Sequence, residues 1–516
     1  MKKLKKLPIG IQTFKDIRDK EQNYIYIDKT KEALDLIENG KYYFLSRPRR
    51  FGKSLFLDTL QDIFEGKKEL FEGLYIYDKW DWEDKYPVIK FSWSGDLRSK
   101  PSIELRAFDF LKENQRRLGI ECEERRHLSS CFSELIYESY KKYNKKVVIL
   151  IDEYDKPILD NLDQIEVAKE ARELLRSLYS VMKENDRYIK FVFLTGVSKF
   201  SKASIFSGLN NLRDISLLPR YGTICGYTQN DIETDFKELL EGVELKKLKE
   251  WYNGYNFLSD RVYNPFDILL FIDSDHKFKN YWFKTGTPSF LIKLFKEQEY
   301  NLATFENLLV GEELLESFDI ENLSLETVMF QSGYLTIRDT ERLGNDQFYY
   351  LGFPNIEVKK SFNDYILSSY FVNPSKKAKV QFDLYKAMHR KDLDSIQSIF
   401  KSLFASIAYN NFTNNKIENY EGFYASVIYA YFAGAGFDRI VAEDVTNDGR
   451  IDLSVFLDDM LYIFEFKVNQ KGALAQIKEK NYPQKYQTKF SDIFIVGVEF
   501  DSKSRNIIKY EWEKWI

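Results

Sequence analysis

Three short stretches of this chain of 516 residues place ionisable side chains where phosphate chemistry uses them: Gly52-Lys53-Ser54, Asp152-Glu153, and Asp452 with Glu465 and Lys467. The first lies in GKYYFLSRPRRFGKSLFLDTLQDIFEG. There an aromatic run from Tyr42 to Leu45 precedes a polar loop, and Leu55, Phe56, Leu60, Ile63 and Phe64 follow at helical spacing up to a stop at Gly66. Strand, loop and helix in that order put Gly52, Lys53 and Ser54 at a helix start, whose unpaired N–H groups and positive dipole end suit a polyphosphate. Lys53 is expected to reach the β- and γ-phosphates of ATP, and Ser54 to ligate Mg²⁺. The general pattern GxxxxGK[ST] is broken at its first glycine, because position 47 is Arg.

In KKVVILIDEYDKP, Val147 to Ile151 reads as a strand of a covered parallel sheet, and it ends in Asp152 and Glu153. Asp152 is expected to hold Mg²⁺ through its bound waters, and Glu153 to orient or deprotonate the attacking water. A solvated acidic loop is the alternative, and it loses ground once GKS stands on the same sheet. YPVIKFSW and YIKFVFLTGVSKF supply two more strands. Thr195 and Ser198, at the end of the latter, either sense the γ-phosphate or make ordinary strand-end hydrogen bonds.

Together, YIDKTKEALDLIENGKYYFLSRPRRFGKS, VVILIDEYDKPI and FLTGVSKFSKASIFSGLNNL resemble the AAA-like ATPases found fused to PD-(D/E)xK nuclease domains, over Leu7 to about Ser216. The resemblance implies that RPRRFGKS is this group's form of the phosphate loop. Arg47 then departs from the general motif but matches the group, and Arg49 and Arg50 join the nucleotide-binding residues. It leaves the roles of Asn210 and Arg213 open.

The third stretch, DGRIDLSVFLDDMLYIFEFKV, is an apolar hairpin with charges inside it. With Asp458 and Asp459 as a two-residue turn, Leu457 faces Met460, and counting back residue by residue sets Asp452 opposite Glu465. Period-two alternation puts Glu465 and Lys467 on one face, with Phe464, Phe466 and Val468 on the other. Facing carboxylates repel, and a divalent cation reverses the sign by taking both as ligands. Lys467 is then placed to position or activate water and to balance phosphate charge. A surface salt-bridge ladder is the alternative.

Asp452, followed by Glu465, one residue and Lys467, resembles the PD-(D/E)xK signature, with Gly449 and Arg450 ahead of it. The resemblance implies that Glu421 on a preceding helix is a further metal-site acid and that Gln476 and Tyr482 of QIKEKNY are supporting residues. The alternatives are a solvated helix-start acid for Glu421 and plain packing for the other two. Lys471, Lys478, Lys480, Lys485 and Lys489 offer a local basic patch or a solvated face.

These residues need an α/β framework. A P-loop ATPase sheet is expected over residues 1–216, a helical lid or winged-helix-like region over 217–380, and linker helices with a restriction-endonuclease-like α/β domain over 381–516. The middle shows amphipathic helices with aromatic turns such as WYNGYNF, and VMFQSGYLTI with QFYYLGFPN suggests a hairpin. The polar stretch Asn414 to Glu418 marks a boundary. A helix, two hairpin strands, a helix and the strand DIFIVGVEF follow from Tyr420.

Composition sets outer limits. Hydrophobic residues at 44% and aromatic residues at 16% describe a globular chain long enough for two or three cores. Three scattered histidines exclude HExxH zinc sites and disfavour Ser/His/Asp catalysis, and Cys122, Cys131 and Cys225 lack CxxC spacing. MKKLKKLPIGIQTF has no signal-type apolar core, and no stretch is long enough for a membrane helix, so a cytoplasmic protein without membrane partners is expected. A net charge of −4 excludes an all-over basic coat, and nucleic acid must be met by local patches.

The expected function is an ATPase with a nuclease that needs Mg²⁺ or Mn²⁺, DNA being the expected nucleic acid and mobile-element or phage conflict one setting. Assembly into a homo-oligomer is open. The alternative is an ATP-driven switch whose nuclease-like domain binds nucleic acid or a partner without cutting.

Overall fold

The structure, a computed structural model, describes all residues except 1–3, 125, 201–210, 283–290, 292–293, 296–300, 317–319, 322, 371–373, 408–420 and 438. Asn210 and the boundary expected at Asn414 to Glu418 lie outside the described residues. The chain forms two compact units, Met1–Trp282 with Gly311–Phe348, and Phe283–Val310 with Tyr349–Ile516. The middle of the chain is thus divided between the two units, where a separate region was expected over 217–380.

The first unit is built on five parallel strands: β1 (Tyr42–Ser46), β2 (Val88–Ser92), β3 (Val147–Asp152), β4 (Ile189–Gly196) and the short β5 (Arg213–Asp214), in the order β2-β3-β4-β1-β5. VVILID in β3 is buried throughout, as the inner strand of a sheet covered on both faces must be. The register pairs Ser46 with Gly196 and Ser92 with Asp152, so the carboxyl ends of β1, β3 and β4 lie along one edge. That edge is where open α/β sheets bind ligands. Helix α1 (Lys53–Phe64) leaves β1 through the polar loop and buries Phe56, Leu57, Leu60, Ile63 and Phe64.

The aromatic turns of the middle region are core. Tyr252, Tyr263 and Phe271 pack with Ile25, Ile27, Phe236 and Leu248. VMFQS, expected in a hairpin, is instead the end of helix α2 (Leu325–Ser332). Ser324 caps its start by accepting from the Thr327 N–H, and Gly333, at φ 91°, closes it in a left-handed conformation suited to glycine. With β6 (Leu308–Gly311), the following strands β7 (Thr336–Leu343) and β8 (Asp346–Gly352) form a sheet in the order β6-β8-β7.

The second unit holds helix α3 (Glu421–Ala435), β9 (Arg439–Val445), β10 (Arg450–Leu457), β11 (Met460–Val468), α4 (Ala473–Glu479), β12 (Asp492–Asp501) and β13 (Asn506–Lys514). The sheet order is β13-β12-β11-β10-β9, and only β11 and β12 run parallel. This supplies more strands than the sequence reading expected. α3 is apolar nearly all round and is buried accordingly. The hairpin register runs as expected from Leu457 opposite Met460 to Leu453 opposite Phe464. The ladder does not continue to Asp452 and Glu465. Asp452 turns its carboxylate to the Phe466 N–H at 2.7 Å, satisfying a backbone donor that a regular pair would have left to the opposite strand.

Candidate functional site

The loop after β1 is organised by Arg47. Its guanidinium is fully buried, donates to the carbonyls of Ser46 and Ser216 at 2.8 Å and of Tyr221 at 3.0 Å, and stacks 3.8 Å over the Phe257 ring. Burial lowers its pKa to about 10. Where the general motif has a glycine, this chain has a staple between the phosphate loop and the segment after β5. Arg47→Gly, which restores the general motif, is expected to destabilise the first unit by on the order of 3 kcal/mol, because several buried carbonyls lose their donor. A lower urea midpoint checks this; an unchanged midpoint contradicts it.

Gly52, at φ 91°, occupies the N-cap of α1 in open space, and Arg50 also has positive φ at 68°. Lys53 is buried, and its ammonium donates to the carbonyls of Arg47 and Pro48, each at 2.9 Å. Burial pushes its pKa down, while Asp152, Cys225, Asp155 and Glu153 pull the other way. The ammonium therefore lies inside the loop and within the field of the β3 acids. Ser54 follows in the first turn of α1, and Arg49 and Arg50 are exposed. α2 closes on the loop, since a Cβ on Gly333 would lie 2.6 Å from the Pro48 side chain.

At the end of β3, Asp152 is buried and accepts from the Thr195 hydroxyl at 2.5 Å and the Glu153 N–H at 3.1 Å. Glu153 sits at φ 52°, a conformation uncommon for a residue with a side chain. Its carboxyl is pushed above its ordinary value by burial and then by Asp152, against Lys53, Lys156 and Arg49. Thr195 and the Ser198 backbone are thus engaged in strand-end hydrogen bonds. Asp155, which the sequence reading passed over, receives the Val197 N–H at 2.9 Å and the Ser198 N–H at 2.5 Å, and burial raises its pKa to about 6. It ties the loop after β4 to that after β3, and its only sequence signal was a third acid in DEYDKP. Beside Gly52 lies an apolar hollow lined by Tyr26, Ile27, Tyr227 and Pro265 among others.

The second cluster centres on Glu465, 1% exposed. One oxygen, Oε1, accepts from Lys467 Nζ at 2.9 Å and from the Gln476 amide; the other, Oε2, is buried without a hydrogen-bond partner. Gln476 also reaches the Tyr482 hydroxyl at 3.4 Å, and Tyr482 is buried against the turn at Gly449, where a Cβ would lie 3.0 Å from that hydroxyl. Burial pushes the carboxyls of Asp452 and Glu465 well above the usual carboxylate range; Asp452 adds to the rise at Glu465, Glu421 adds to both, and Lys467 opposes it. Glu421 is itself raised by burial and opposed by Lys467.

The structure therefore brings Glu421, Asp452, Glu465, Lys467, Gln476 and Tyr482 into one neighbourhood. Among the described residues, no group of three or more His, Cys, Asp or Glu is arranged as a ready metal cluster. A hard divalent cation nevertheless fits the donor chemistry: carboxylate oxygens, one of them buried and unpartnered. Of the expected basic patch, Lys478 pairs with Glu513 and Lys485 with Asp444, while Lys471, Lys480 and Lys489 are exposed.

Residues 8–206 match the family described as "Predicted AAA-ATPase", and residues 419–510 match the PD-(D/E)XK nuclease superfamily. The chain belongs to the family that joins an AAA-ATPase-like domain to a C-terminal domain of the PD-(D/E)XK nuclease superfamily. Along its length it is 45% identical, over 511 residues and 98% of both chains, to the "Uncharacterized protein in vnfD 5'region" of Azotobacter chroococcum mcd 1. Among solved structures, Cdc6p from Pyrobaculum aerophilum aligns with 66% of this chain and 93% of its own, at 13% identity and a TM-score of 0.27. No helix of the described residues is long and apolar enough to cross a membrane.

Proposed function

We propose that this chain binds and hydrolyses ATP at the β1 and β3 strand ends and cleaves DNA phosphodiesters, with Mg²⁺ or Mn²⁺, at the β10–β11 hairpin. The observation that carries the second half is Glu465, a fully buried carboxylate with one oxygen unpartnered and the other held by Lys467 and Gln476. Glu421, Asp452 and Glu465 would hold the cation, which when bound stabilises charge on a phosphoryl group and lowers the pKa of water. Lys467 balances phosphate charge and orients the nucleophile. Gln476, backed by Tyr482, fixes the Glu465 carboxylate.

In the first unit Lys53, Arg49, Arg50 and the N–H groups at Gly52 serve the phosphates, while Ser54 and Asp152 serve Mg²⁺. The apolar hollow beside Gly52 suits a nucleobase. Glu153 activates water. Glu153→Gln is accordingly expected to keep ATP binding while turnover falls by about a hundredfold or more. Nucleotide retained after gel filtration checks this; loss of binding refutes the division of roles between Asp152 and Glu153.

ATP would gate access or assembly, and the setting would be the cytoplasm. The deciding experiment incubates the purified protein with linear and circular DNA, Mg²⁺ or Mn²⁺, with and without ATP. Metal-dependent cleavage supports the reading. DNA binding without cleavage transfers it to an ATP-driven switch.

A further inference from the structure

Behind the hairpin cluster lies a buried acid that the mechanism above does not use. Glu499 on β12 is 2% exposed. β11 and β12 run parallel with Glu465 registered to Gly497 and Lys467 to Glu499, so Glu499 projects from the same face of the sheet as the two site residues. Its Oε1 accepts from the Gly472 N–H at 2.7 Å. Gly472 is the N-cap residue of α4, at φ 95°, and α4 carries Gln476 to Glu465.

The remaining contacts of this turn are equally specific. A Cβ on Gly497 would lie 2.3 Å from the Leu474 backbone nitrogen, so the first turn of α4 rests directly on β12 where the side chain is missing. Ahead of α4, Asn469 and Ser502 exchange hydrogen bonds at 3.0 Å, pinning the incoming chain to the far end of β12. Asn469 fixes the approach, Glu499 holds the cap, and Gly497 sets the depth.

The geometry points to Glu499 as a positioning residue: through the Gly472 N–H it seats α4 so that the Gln476 amide meets the Glu465 carboxylate. A carboxylate suits that place, because it satisfies an otherwise unpaired N–H and complements the positive end of a short helix. Glu499 acts on α4 and not on the scissile phosphate. Its catalytic consequence rests on the nuclease reading of the hairpin cluster; the seating of α4 does not.

The test uses the full-length protein in four variants, Glu499→Ala, Glu499→Gln, Gln476→Ala and the Glu499→Ala/Gln476→Ala double. Two readouts are kinetics on linear duplex DNA with Mn²⁺ and amide hydrogen exchange of residues 472–480. Glu499→Ala is expected to speed exchange in 472–480 and to lower kcat about tenfold or more with KM for DNA unchanged, as loss of a supporting partner does. Gln476→Ala should lower kcat similarly, and the double variant should be no worse than either single, because both remove one interaction. Glu499→Gln, which keeps an oxygen to accept from Gly472, should restore most of both readouts.

Unchanged exchange in Glu499→Ala overturns the seating of α4, whatever the cleavage assay gives. Multiplying effects in the double variant, or Glu499→Gln as damaging as Glu499→Ala, overturn the route through Gln476. If exchange responds as expected while no protein, wild type included, cuts DNA, the seating stands and the nuclease reading of the cluster falls.

Discussion

Asp452→Asn is expected to lower metal-dependent DNA cleavage by at least about a hundredfold, the scale on which one charge-stabilising group at a reacting centre is felt. The same change should leave the metal-free protein as stable as wild type or more so. Asn keeps an oxygen that can accept from the Phe466 N–H, so the bond at 2.7 Å that stops the ladder survives. What disappears is the ionisation of a buried carboxyl that is itself held up by burial and that adds to the rise at Glu465.

The pH dependence follows with a definite sign. Both carboxyls are held above their ordinary values near about 4 in the folded protein. The folded state therefore binds more protons than the unfolded state once pH exceeds that range. The stability contributed by the pair is fully present at low pH and is lost as pH rises through the raised values. Without metal, the wild-type transition that responds to Mn²⁺ should move to lower temperature as pH is raised towards and past neutrality, and Asp452→Asn should flatten that slope. Metal reverses the trend, since carboxylates must be ionised to bind it, so the gain in melting temperature on adding Mn²⁺ should grow with pH. Calorimetry of the full-length protein without nucleotide measures both slopes. A wild-type transition indifferent to divalent ions at every pH, or an Asp452→Asn protein that still cuts, returns the stretch to a salt-bridge ladder.

Lys53→Ala should reduce ATP turnover by at least about a hundredfold, for the same electrostatic reason, while the response of the second unit to Mn²⁺ is retained. The structure adds a cost the sequence did not suggest. The ammonium satisfies the carbonyls of Arg47 and Pro48, and its removal leaves both without that donor, for about 1–3 kcal/mol of stability. Lys53→Arg keeps a charge and donors on a bulkier head group, so it separates charge from fit. ATPase rates and melting curves on the purified variants check this; wild-type turnover in Lys53→Ala ends the phosphate-loop assignment.

Much of this protein is local in origin and so legible from sequence. Strand, polar loop and amphipathic helix around Lys53, the apolar run ending at Asp152, and the hairpin turn at Asp458 and Asp459 each depend on neighbours a few residues away. The less legible elements carried an ambiguous or weak local signal. VMFQS has an apolar stretch that suits strand or helix, and Ser324 and Gly333 decide for helix at its ends. β13 is an exposed edge strand whose mixed polar sequence NIIKYEWEK carries little strand signal.

The sequence by itself determined the residue types and the chemistry available to them: a lysine at a helix start, acids at a strand end, and two acids with a lysine in an apolar hairpin. Tertiary structure alone decided which of them meet and in what state. Arg47 became a buried staple because carbonyls from residues 216 and 221, far along the chain, converge on it. Asp452 left its place opposite Glu465 for a backbone N–H, and Glu499 came to serve Gln476 through a helix cap. Periodicity fixes which face of an element a side chain leaves from. The three-dimensional assembly fixes what it finds there and how much water remains, and so its pKa, its partners and its use.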